Sequence, residues 1–154
     1  MPSQGDPAWR SLSIGNTTVG KSGCLAFSLM DALTSMGLSF SSPAAFVQML
    51  KENGLFTSAG LLKWNLSMLF PVTVRRLTLA GSAAYDEAKR GLTAGMSVLL
   101  QVKTPRGTLH WLVATKAADG DFFVRDPNGG RTGLLSTLYG GISSLRGLAE
   151  LSPQ

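Results

Sequence analysis

The chain of 154 residues holds one cysteine and one histidine. A lone thiol forms no internal disulfide, and a zinc site built on Cys and His needs about four such ligands. No C-x-x-C redox pair exists either, so neither metal nor cofactor is expected. Charged residues are also scarce, at 15% against about 25% in an average domain, while 44% are apolar. That balance excludes an intrinsically disordered chain. No run approaches the ~18 apolar residues of a membrane helix. The start, Met1-Pro-Ser-Gln-Gly-Asp-Pro7, lacks the basic end and apolar core of a signal peptide, so synthesis in the cytoplasm is expected.

What is present points to one domain over residues 1–154, long enough to bury about 70% of its unfolded surface. Fourteen Lys and Arg against nine Asp and Glu give a net charge of +5. Among the basic residues only Arg75-Arg76 and Lys89-Arg90 are adjacent, and no aromatic-interleaved basic stripe appears, so no nucleic-acid partner is expected. Residues 1–23 read as irregular. Helices are predicted at 24–36, stopped by Gly37, and from Pro43 to Glu52, with Ser42 as N-cap. Two more are predicted at 58–69 and 82–90. Strands are predicted at 72–79, 97–103, 109–116 and 122–125, with one more near 144–151. Helices first and antiparallel strands second is the α+β pattern.

Two motifs compete for one stretch. Gly15-Asn-Thr-Thr-Val-Gly20-Lys21-Ser22 matches the phosphate-cradling loop G-x-x-x-x-G-K-[ST], in which backbone N–H groups hold phosphates. That loop requires a buried parallel strand before Gly15, and Trp9 to Ile14 is short and half polar. The second motif is Gly23-Cys24 opening a helix. A thiol at a helix N-terminus lies in the positive end of the macrodipole, which favours the thiolate. On a helical wheel Ser28, Asp31 and Ser35 fall within about 40° of Cys24, forming the only polar stripe on an otherwise apolar helix. That stripe is expected to face a cleft or polar partners; a buried structural cysteine is the competing reading.

The only histidine lies mid-strand in Leu109-His110-Trp111, and a turn centred on Ala118 pairs it across a hairpin with Asp126. An odd-length loop sets the two side chains on one face and an even one on opposite faces, and the sequence leaves that open. On one face they have the logic of a Cys–His–Asp relay, in which the carboxylate orients the imidazole and the imidazole deprotonates the thiol. Asp126 also reads as a turn residue in Asp-Pro-Asn-Gly.

Four stretches, Gln4-Gly-Asp-Pro-Ala-Trp9, Thr18-Val-Gly-Lys-Ser-Gly-Cys24, Leu109-His-Trp-Leu-Val113 and Val124-Arg-Asp-Pro-Asn-Gly129, resemble a papain-like cysteine peptidase of the kind that processes double-glycine bacteriocin leaders (cysteine-peptidase family thirty-nine), in its free-standing bacterial and phage forms. The resemblance implies Cys24 as nucleophile, His110 as general base then acid, and Asp126 as orienting group. It implies a papain-like fold, a helical half carrying the thiol packed on an antiparallel sheet. One departure stands out: papain-like enzymes place a Gln six residues before the Cys to donate to the oxyanion, and Thr18 stands there. Gln4 and Asn16 are the other oxyanion candidates, and Trp111 and Lys21 the substrate-contact candidates. Peptidoglycan stem peptides or short Gly-rich peptides are the expected substrates, reached through lysis, a secretion route or a virion. A monomer is expected. The alternatives are a nucleotide-binding protein using Gly15 to Ser22 and a papain-like fold that binds a protein partner without catalysis.

Overall fold

The computed structural model describes residues 1–154. The N-terminal stretch expected to be irregular holds a small ribbon of β1 (Ser13–Ile14) and β2 (Thr17–Thr18), then one helical turn, α1 (Val19–Ser22). Helix α2 (Cys24–Ser35) and helix α3 (Pro43–Glu52) follow, close to the expected bounds. The Ser42 side chain accepts from the Ala45 N–H at 3.0 Å, as an N-cap should, with Pro43 at the first helical position.

The helix expected at 58–69 is absent. Residues 55–63 form a tight hairpin instead, with Phe56 bridged to Leu62, the Thr57 N–H donating to Leu61 O, and Gly60 at φ +80°. A 3₁₀ turn follows at Leu66–Met68. Leu62, Leu66 and Phe70 are buried as a helical spacing demands, but Gly60 ends any helix there. A Cβ on Gly60 would lie 2.4 Å from the Thr17 side chain and 2.6 Å from the Ile14 carbonyl, and one on Gly15 would meet Ser58 O at 2.4 Å. The two loops interlock through glycine.

Strand β3 (Val72–Leu77) and helix α4 (Gly81–Thr93) lead into β4 (Ser97–Lys103), β5 (Leu109–Ala118), β6 (Asp121–Asp126) and β7 (Arg131–Leu134). A short helix, α5 (Leu135–Tyr139), precedes β8 (Leu145–Pro153). All six long strands form one antiparallel sheet in the order β3-β8-β4-β5-β6-β7. The last strand therefore lies between β3 and β4. Helices α2 and α3 cover one face, where Leu29, Leu33, Phe46 and Leu50 meet Leu99, Trp111, Val113 and Leu151. Helix α4 and α5 cover the other, over Leu100, Leu112, Phe122, Val124 and Leu148. Strand β4 reads Val98-Leu99-Leu100 because both of its faces are buried.

The β5–β6 hairpin corrects the expected register. It turns at Asp119-Gly120, with Ala118 opposite Asp121, so the loop is even and not centred on Ala118. Continued unbroken, that register would set His110 and Asp126 on opposite faces. Strand β5 carries an extra residue instead: Ala114 faces Val124, Lys116 faces Phe123, and Thr115 is left between them as a bulge. The Thr115 hydroxyl donates to Phe123 O at 3.0 Å. Past the bulge Val113 faces Arg125, which puts Asp126 level with Leu112 and diagonal to His110 on the same face.

Gly60→Ala should cost about 2–3 kcal/mol, from the left-handed backbone and the overpacked contact together. Thermal unfolding should show a midpoint lowered by about 4–10 °C in a domain of this size; an unchanged midpoint would mean the interlocked loops do not matter to the fold.

Candidate active site

Cysteine 24 is the first residue of α2, and Gly23 precedes it because the backbone there runs against α1. A Cβ on Gly23 would sit 2.5 Å from the Val19 carbonyl, to which the Gly23 N–H donates at 2.8 Å. The polar stripe of α2 meets its partners on the sheet. Asp31 pairs with Arg125 of β6 at 2.7 Å, and the Ser35 hydroxyl accepts from the same guanidinium at 3.2 Å. Ser28, between them and Cys24, is buried. The helix is thereby pinned against β5 and β6 with its first residue beside His110.

His110 Nε2 and Asp126 Oδ1 lie 2.7 Å apart. Asp126 is fully buried, so each carboxylate oxygen needs partners. The Asn128 N–H donates to Oδ1 at 2.9 Å, which is the turn role expected of Asp126 and coexists with the bond to His110. The Tyr139 hydroxyl donates to Oδ2 at 2.6 Å and Arg131 Nε at 3.1 Å. Neither Tyr139 nor Arg131 was marked by the sequence. Burial pushes Asp126 up, but the hydrogen bonds from His110, Tyr139 and Asn128 outweigh it and hold the carboxyl below its usual range. Burial, then the bond to Asp126, pushes the Tyr139 phenol up to about 12, so it remains a donor.

For His110, burial lowers the pKa. The bond to Asp126 and the hydrogen bond and charge of Cys24 overcome that and push the imidazole up to about 9. With Nε2 given to Asp126, Nδ1 is the nitrogen left for the Cys24 sulfur. Both residues line one cleft of about 680 Å³, and Cys24 also borders an apolar pocket of about 240 Å³.

The remaining candidates separate. Gln4 lines the cleft with Cys24 and is buried; its Nε2 donates to Gly20 O at 3.3 Å. A strap over residues 3–9 holds it, through the Gln4 N–H to Pro127 O at 2.9 Å, the Gly129 N–H to Ser3 Oγ at 3.2 Å and Trp9 Nε1 to Ser3 O at 2.8 Å. Thr18 ends the β1–β2 ribbon outside the cleft, and Asn16 is exposed at its turn. Lys21 is exposed and borders both pockets. Trp111 is buried in the wall of the apolar pocket, 5.4 Å from the Trp64 ring and 4.8 Å below the Arg76 guanidinium.

The residues of the phosphate-loop alternative are engaged within the protein. The Asn16, Val19 and Gly20 N–H groups are bonded to the carbonyls of Ser58, Leu12 and Arg10, and the Ser22 hydroxyl pairs with Thr17 at 3.0 Å. The strand before Gly15 has two residues and pairs antiparallel. No group of three or more His, Cys, Asp or Glu side chains stands close enough to hold a metal, and no helix is long and apolar enough to cross a membrane.

No family model matches the chain, and no curated protein matches it in sequence. A solved structure does match in shape: the crystal structure of a Bacillus anthracis chain described as a C39-like peptidase, with a TM-score of 0.54 over 86% of this chain and 90% of that one. The two share a fold. At 13% identity the likeness reaches no further than architecture, a mixed helix and antiparallel-sheet domain. Within that shared architecture Cys24 opens a helix and His110 and Asp126 stand on neighbouring strands.

Because the pKa of His110 in the folded protein, about 9, exceeds the ~6.5 of an unfolded chain, its contribution to stability is complete below ~6.5 and is lost as pH rises through about 9. The midpoint difference between wild type and His110→Gln should therefore shrink from pH 6 to pH 10. A difference that stays constant would show that the imidazole is not held protonated.

Proposed function

We propose that the chain is a thiol hydrolase of peptide or amide bonds, working through an acyl-enzyme on Cys24. The observation that carries this reading is the buried 2.7 Å pair of His110 Nε2 with Asp126, which leaves Nδ1 for the sulfur in a shared cleft. The Cys24 sulfur attacks the carbonyl carbon, forming a C–S bond while the carbonyl electron pair moves onto oxygen. The Cys24 N–H, first in its helix and without an intrahelical acceptor, donates to that oxyanion. The second amide proton of Gln4 Nε2 is the other donor, in place of the glutamine that Thr18 replaces. The carbonyl re-forms as the C–N bond breaks, and His110 Nδ1 gives its proton to the departing amine. Water then attacks the thioester, His110 takes its proton, and the thiolate leaves. Asp126, clamped by Tyr139 and Arg131, keeps the ring oriented and stabilises its cation. Bacterial stem peptides or short Gly-rich peptides are the proposed substrates.

Cys24→Ala and His110→Ala should each abolish release of amines from purified peptidoglycan or a Gly-rich peptide, with circular dichroism unchanged. Gln4→Ala should lower kcat by about 10²–10³, the cost of one oxyanion donor. Activity retained in Cys24→Ala removes the thiol from the reaction. Independently of substrate, iodoacetamide should modify Cys24 rapidly at pH 6, where an ordinary thiol with pKa ~8.5 is almost wholly protonated, and slowly in His110→Ala. Equal slow rates in both would leave a structural cysteine.

The rate should also fall as pH rises through about 9, because the imidazolium that protonates the leaving amine is then lost. A pH profile of kcat/KM that is flat from 8 to 10 would contradict His110 as the acid.

A further inference from the structure

The two depressions beside Cys24 differ in charge as well as size. His110 lines the larger and not the smaller. On the thiol-hydrolase reading, His110 protonates the departing amine, so the larger cleft is where the leaving fragment lies. Its lining contains no Asp or Glu, but does contain Lys21, Arg106, Arg131 and His110. Arg131 is committed to Asp126 through Nε and to the Tyr139 hydroxyl at 3.3 Å. His110 is committed to Asp126 through Nε2 at 2.7 Å. Lys21 and Arg106 pair with no acid, which leaves two uncompensated positive charges on the walls of a concave site.

Arg106 does not trail from a loose loop. It sits at the tip of the β4–β5 hairpin, closed by the Thr104 N–H to Thr108 O at 2.8 Å, by the two threonine hydroxyls at 2.7 Å, and by the Gly107 N–H to Thr104 O at 2.8 Å. A peptide's anions are carboxylates, which a guanidinium fork and an ammonium both bind.

We infer that the cleft selects substrates whose leaving fragment carries a carboxylate close to the cut bond, gripped between Lys21 and Arg106. This rests on the thiol-hydrolase reading. A neutral or amidated leaving fragment leaves both cations unpaired and reacts more slowly.

The single thiol permits a test without a known substrate. Iodoacetate and iodoacetamide differ by one carboxylate, and whole-protein mass reports alkylation of Cys24 alone. Relative to their rate ratio on β-mercaptoethanol, Cys24 should favour iodoacetate by about tenfold at low salt, within the range that focusing clefts produce. The preference should vanish at about 1 M salt, where the screening length is about 3 Å, and in the double variant Lys21→Gln, Arg106→Gln. Stem peptides with leaving-side carboxylates free should likewise show higher kcat/KM than the same peptides amidated, and the double variant should erase the gap. Rapid alkylation by both reagents at the reference ratio, unchanged in the double variant, overturns the inference and leaves the hydrolase reading standing. Sluggish alkylation by both overturns the hydrolase reading, and the inference with it.

Discussion

One surplus residue in β5 decides whether His110 and Asp126 meet on one face of the sheet. A two-residue turn at Asp119-Gly120 fixes the parity of the hairpin against His110 and Asp126, and the bulge at Thr115 reverses it. The reversal is visible in the core, where Leu112 and Ala114 face α4 and α5 before the bulge and Ala117 does so after it. Once on the right face, Asp126 collects four donors in a place without solvent. A buried carboxylate lacking them would cost several kcal/mol. Fold and site thus depend on the same network, with Tyr139 from α5 and Arg131 from β7 closing it behind the histidine.

The thiol is brought to that network by a second, independent tie. Strand β6 alternates, so Asp126 points toward His110 while Arg125, its neighbour, points to the opposite layer and pairs with Asp31 on α2. Consecutive residues of one strand therefore hold the imidazole and the helix that carries the sulfur. Gly23 completes the placement by letting α1 and α2 meet at van der Waals distance.

Much of this was legible because it rests on local rules. The start of α2, its polar stripe, the N-cap at Ser42 and the apolar strands follow from spacing and capping, and a single cysteine and a single histidine are scarce enough to stand out. The hairpin register was not legible, since a bulge leaves no mark that distinguishes Thr115 from any strand threonine. The segment at 58–69 misled because its apolar spacing is that of burial, while Gly60 answers to a contact with Ile14 and Thr17 far back in the chain. Tyr139 and Arg131 were invisible for a similar reason: nothing near them in sequence says that a buried oxygen is waiting.

The strap that carries Gln4 is not part of the main sheet; hydrogen bonds to Pro127, Gly20 and Gly129 fasten it, and Met1 and Trp9 pack on the core at its two ends. Segments outside the central sheet can detach at free energies below that of global unfolding. Cys24, His110 and Asp126 sit on α2, β5 and β6, outside the strap. On the thiol-hydrolase reading, lifting the strap would remove the Gln4 donor while the sulfur and the imidazole keep their places.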